Sequence, residues 1–92
     1  MTPEEERELY DKALKVWGVQ SQLDMVIEEC AELIVAIQHY KRNRCDGDAV
    51  AEEMGDVQNC LNQFSETFPF EEIRQAKMER LKTVLYREAK RG

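Results

Sequence analysis

Two pairs of acids, Glu29-x-x-Glu32 and Glu53-x-x-Asp56, lie inside stretches whose apolar residues recur at helical period. Residues three apart on a helix share a side, because each step turns about 100°. Each pair therefore projects two carboxylates in one direction. Glu29 has Met25 and Val26 one turn before it and Leu33 one turn after. Glu53 follows Val50 and precedes Val57, with Leu61 and Phe64 extending the stripe. Glu28 and Glu52 point towards other acids and read as solvated. A bare carboxylate on a burying face is too costly to keep ionised, so it must be protonated, paired or bound to a metal. Four of them converging from two helices imply a hard divalent cation.

The 92 residues suit a single domain spanning 1–92. A chain this short builds a modest core, so self-association is a natural way to bury more apolar surface. Thirteen Lys and Arg against 19 Asp and Glu give a formal charge of −6, which argues against a coat for nucleic acid polymers. A small phosphorylated ligand fits if a cation screens it. No apolar run is long enough for a membrane span, and Met1 to Tyr10 has no signal-peptide apolar region. Cys30, Cys45 and Cys60 form no CxxC motif and cannot all pair within one chain. Cys30 and Cys60 fall on apolar helix faces, where cysteine behaves as a small hydrophobe. The expected setting is the reducing cytoplasm, with no zinc site and no membrane.

The chain reads as all-α: four helices in a bundle-like protomer that completes its core and active site by oligomerisation. Thr2, Pro3 and Glu5 fit an N-cap, a first-turn proline and a capping-box acid, so helix 1 starts at Pro3. Its stripe is Leu9, Ala13, Val16 and Trp17, and Gly18 supplies a left-handed stop. Helix 2 is expected to run from after Ser21 to about Arg42, with Leu23, Val26, Ile27, Cys30, Ile34 and Ile37 as its stripe. Lys41, Arg42 and Arg44 suit the negative end of its dipole. Helix 3 is expected to be capped by Asp48 and to end before Pro69. Helix 4 runs from about Glu71 towards Arg87, with Ile73, Leu81 and Val84 facing inwards. Lys77 falls within that arc and Arg80 sits three residues on. A basic pair on the inner side is the complement of a phosphate chain.

The signature Glu28-Glu29-Cys30-Ala31-Glu32, then 20 residues, then Glu53-Met54-Gly55-Asp56, resembles the EExxE…ExxD pattern of the MazG-like nucleotide pyrophosphohydrolases. These belong to the all-α NTP pyrophosphatase superfamily. The likeness includes Trp17-Gly18…Gln22, Ala31-Glu32-Leu33-Ile34, Glu52-Glu53-Met54-Gly55-Asp56-Val57 and the late Lys77-Met78-Glu79-Arg80. It implies cleavage of a nucleoside triphosphate between its α and β phosphates, giving the monophosphate and pyrophosphate. It also implies Glu29, Glu32, Glu53 and Asp56 as Mg²⁺ ligands, with Mn²⁺ a possible substitute. Glu28, Glu29 and Glu53 would be the catalytic acids, Glu28 orienting a ligand or the attacking water. A homodimer or dimer of dimers is implied as well, with helices of two subunits completing each site. The chain departs from many relatives in having Gly55 rather than Ala, and in the polar run Gln58-Asn59-Cys60-Leu61-Asn62.

Other residues carry weaker expectations. Trp17, Gln22 and Asn59 are candidates for contact with the base, as is Asn62, although Trp17 suits a core or subunit contact better. Lys77 has a simpler reading as a snorkelling side chain. His39 stands among polar neighbours and is expected to be exposed. The sibling substrates of the resemblance are pyrimidine deoxynucleotides and phosphoribosyl-ATP-like compounds. A non-enzymatic helical module that binds metal for assembly is the alternative from another class.

Overall fold

The computed structural model describes residues 1–91, and its elements are four α-helices in chain order: α1 Pro3–Trp17, α2 Val19–Lys41, α3 Gly47–Gln63 and α4 Glu71–Arg91. No strand occurs among the described residues, as the sequence implied. None of these helices is long and apolar enough to cross a membrane.

The start of α1 follows from its sequence. The Glu5 N–H donates to Thr2 Oγ1 at 3.1 Å, and Glu5 returns a carboxylate to the Thr2 N–H at 3.5 Å. This capping box satisfies two of the free donors at the helix N-terminus. Gly18 ends α1 at φ +90°, its N–H donating to Leu14 O at 2.9 Å. The same residue opens α2, since Gln22 N–H donates to Gly18 O at 3.1 Å. A single glycine thus joins the two helices, and α2 begins at Val19 rather than after Ser21. That conformation strains any residue with a Cβ.

The cap of α3 is Asp46, whose Oδ1 accepts from the Ala49 N–H at 3.1 Å, rather than the expected Asp48. Asp48 lies in the first turn, where its charge still favours the dipole. The far end of α3 meets the expectation. The helix stops at Gln63, well before Pro69, and a turn follows. Arg7 of α1 reaches the carbonyls at this end, of which Asn62 O also accepts from the Ser65 N–H. Its guanidinium donates to Asn62 O at 3.3 Å, Gln63 O at 3.1 Å and Ser65 Oγ at 3.1 Å. A cation at the negative end of a helix is favourable. It also ties α1 to α3.

The hairpin of α2 and α3 forms the body, and α1 packs against both. Phe64 is the buried apolar centre, at 4 % exposure, with its ring 5.8 Å from that of Phe68. Gln22 and Gln63 are buried beside it, Gln63 Nε2 donating to Gln22 Oε1 at 3.0 Å. A buried amide needs such a partner.

Helix α4 stands apart from the bundle-like body that the other three helices form. Among the described residues it packs against none of the other three helices. Its intended inner residues Ile73, Leu81 and Val84 are all exposed. The radius of gyration is 16.8 Å, against about 12 Å for a compact chain of this length. Ile27 and Ile34, on α2, are exposed as well. Charge is divided along the same line. Residues 1–70 carry 15 acids and 6 bases, whereas residues 71–91 carry 4 acids and 7 bases.

Candidate metal centre

Glu29 and Glu32 lie one turn apart on α2, and Glu53 and Asp56 one turn apart on α3. Because α2 and α3 pack closely, the pairs meet across the hairpin. One carboxylate oxygen each from Glu29, Glu53 and Asp56 lies within 4.8 Å of the others. Two oxygens on opposite sides of a Mg²⁺ or Ca²⁺ ion stand about 4–5 Å apart, so the three are close enough to share one. Asp56 is exposed, while Glu29 and Glu53 are partly buried.

The burial is specific to single atoms. Oε2 of Glu29 and Oε2 of Glu53 are both shut off from solvent, and neither has a hydrogen-bond partner. A polar atom hidden from solvent without a partner is unfavourable, more so when it carries charge. Burial raises the pKa of Glu29 above its ordinary 4.5, and Glu32, Asp56 and Glu53 push it further. Glu53 is raised in the same way, by burial first and then by Glu32 and Asp56. The neighbouring charges acting on the two are all carboxylates. A cation at this position would answer both the repulsion and the orphaned oxygens, so the residues fit a divalent metal.

Glu32 is exposed and lies outside the three-oxygen cluster, yet its carboxyl acts on both Glu29 and Glu53. Glu28 is exposed on the neighbouring face of α2. Cys60 lies one turn beyond Asp56 on α3, and burial pushes its thiol up, with Glu29, Asp56 and Cys30 adding to the shift. All three cysteines are free.

The remaining expected site residues are scattered. Lys77 and Arg80 ride on α4, so nothing within the chain brings them to the acids. Trp17 is 64 % exposed, in an apolar groove of about 410 Å³ on α1 with Leu9, Ala13 and Val16. Gln22 is spent on Gln63 inside the helix packing. Asn59 Oδ1 accepts from the Tyr10 hydroxyl at 3.0 Å, and Asn62 Oδ1 from Gln58 Nε2 at 2.8 Å. Sequence reading passed over Arg7, Tyr10 and Gln63, which position the helices rather than face the acids. It also passed over a groove of about 410 Å³ between α2 and α3, with Glu32 and Glu53 on its wall and His39 farther along. The small residues Ala36 and Ala49, on facing helices, were the signal for it.

A family model described as the MazG nucleotide pyrophosphohydrolase domain matches residues 18–84, well over half of the chain. The matched span contains both acid pairs, Lys77 and Arg80. No curated protein and no solved structure matches.

Proposed function

The chain belongs to the MazG nucleotide pyrophosphohydrolase domain family, and from that membership we propose a Mg²⁺-dependent hydrolase of nucleoside triphosphates that cleaves between the α and β phosphates. The observation that carries the reading is the pair of buried, unpartnered oxygens of Glu29 and Glu53. In this proposal Glu29, Glu32, Glu53 and Asp56 hold Mg²⁺, for which Mn²⁺ can substitute. When bound, the cation neutralises phosphate charge and the charge that builds on the departing pyrophosphate.

The chain's own groups do the rest. Glu28, exposed and next to Glu29 in the chain, orients the attacking water. A cluster carboxylate, Glu29 or Glu53, takes the proton as the water oxygen bonds to the α-phosphorus. The bond from that phosphorus to the bridging oxygen breaks, and the bridging oxygen leaves with pyrophosphate. Lys77 and Arg80 grip the β and γ phosphates.

Assembly is part of the proposal. The exposed Ile73, Leu81 and Val84 of α4 and the exposed Ile27 and Ile34 of α2 are apolar surface that a second copy would cover. The basic α4 of one copy also complements the acidic body of another. In a homodimer or dimer of dimers, α4 would bring Lys77 and Arg80 to a site they do not reach within their own chain. We place the protein in the cytoplasm, consistent with its three free cysteines.

The test is to incubate the pure protein with Mg²⁺ and a panel of nucleotides and to resolve the products. Monophosphate with pyrophosphate supports the reading. A diphosphate with orthophosphate moves the cleavage site. Thermal stabilisation by Mg²⁺ with no turnover of any nucleotide points instead to a structural metal in an assembly module.

A further inference from the structure

We propose that the groove between α2 and α3, running from Glu32 and Glu53 to His39, is the nucleobase subsite, and that Glu52 gives it a preference for amino-bearing bases over uracil and thymine. The inference rests on the pyrophosphohydrolase reading for the position of the phosphates, and it adds where the nucleoside lies and what it presents.

The groove measures about 410 Å³, within the range of small-molecule clefts. Its wall holds two of the four acids assigned to the metal, so a nucleotide anchored there by its phosphates has the groove beside it. His39 lies seven residues beyond Glu32 on α2, a rise of roughly 10 Å, which a ribose and base can span. Ala36 of α2 and Ala49 of α3 line the groove between these ends. Paired alanines on facing helices leave width for a flat ring where longer side chains would close it. His39 supplies a planar ring with hydrogen-bonding nitrogens at the distal end.

Glu52 lines the same groove and is exposed. An ionised carboxylate only accepts hydrogen bonds. The exocyclic amine of cytosine is a donor it can take, and the amines of adenine and guanine are of the same kind. Uracil and thymine carry a carbonyl where cytosine has its amine, which sets two acceptors against each other. The apolar groove on α1 around Trp17 has none of the metal-site acids in its lining. A smaller groove of about 340 Å³, lined by Tyr10 and Asn59, is the competing location.

The experiment has two arms. First, the ¹⁵N-labelled full chain is titrated with CMP and with UMP in the presence of Mg²⁺. Shifts centred on the amides of His39, Ala49 and Glu52, larger for CMP, are expected. Shifts centred on Tyr10 and Asn59 would overturn the proposal, as would equal response to the two nucleotides. Second, with Mg²⁺, Glu52→Gln should cut the CTP-over-UTP ratio of kcat/KM at least five-fold. Ala49→Leu should raise KM for CTP at least ten-fold while leaving inhibition by tripolyphosphate unchanged. If Ala49→Leu does not fold, the exposed His39→Ala serves, with a KM rise expected at little change in kcat. Normal KM and base ratio in all of these variants would overturn the subsite. If no triphosphate is turned over, the activity assignment fails, while the CMP titration still decides the groove.

Discussion

Glu29 of α2 and Glu53 of α3 face each other across the hairpin, with carboxylate oxygens within 4.8 Å, and each hides its Oε2 from solvent without a hydrogen-bond partner. Opposed like charges of this kind oppose folding. Their persistence on packed helices makes sense when an opposite charge is supplied from outside the chain.

The pH dependence follows from the raised pKa values of these two acids. A raised folded-state value means that the folded chain holds more protons than the unfolded chain between the two values, so stability falls as pH rises through that window. Without metal, their contribution is a loss that begins near the ordinary 4.5 and is complete above the raised values. Mg²⁺ should flatten the loss, because it binds the ionised, folded form. Melting curves from pH 4 to 8, in chelator and in Mg²⁺, check this, and parallel curves would contradict it.

Glu53→Gln removes one of the opposed charges. The metal-free variant should be as stable as the parent or more so, while its thermal response to Mg²⁺ and its turnover are lost. A large destabilisation without metal would mark Glu53 as half of a structural ion pair instead.

Arg7→Ala removes the side-chain donor to Gln63 O and Asn62 O at the end of α3 and separates α1 from the turn that follows. The expected cost is about 1–3 kcal/mol, read by denaturant unfolding. Arg7→Lys should recover only part of it, because a single ammonium cannot replace three donors spread over a planar fork.

Gly55 sits mid-helix, and a Cβ built there meets nothing within 4 Å. Gly55→Ala should therefore stabilise the chain by about 0.5–1 kcal/mol through helix propensity. A loss of stability, or a shift in mass by light scattering, would reveal a second copy packed against that face.

Leu81→Asp and Val84→Asp introduce charge into the exposed stripe of α4. If that stripe is the contact between copies, light scattering should show smaller species, with turnover falling alongside. An unchanged mass would remove α4 from the assembly.

Much of this was legible in the residues, for identifiable reasons. The Thr2–Glu5 capping box and the helical placement of the two acid pairs depend on spacing alone, and local geometry honours spacing. Asp46 displaced Asp48 as the cap because two acids stand two residues apart, and sequence does not say which one turns back. The stop of α3 at Gln63 was hidden because Arg7, which braces that end through Asn62 O and Gln63 O, is more than fifty residues away. The same kind of distance concealed the Gln22–Gln63 bond, so Gln22 read as a base contact when its carboxamide faces the core. For α4, amphipathic period identified an apolar face but not the molecule that face meets. The period is the same whether the partner surface lies in the same chain or in another.

The side-chain hydrogen bond from Gln63 to Gln22 joins the end of α3 to the start of α2, while the five-residue turn joins their opposite ends. The hairpin is thus clasped above and below its acids, like a spring held at both tips, and mutual repulsion in the middle has no easy way to prise the rods apart. Cutting the upper clasp should let them gape, and the first thing forfeited would be the grip on the ion, well before the helices themselves unwind.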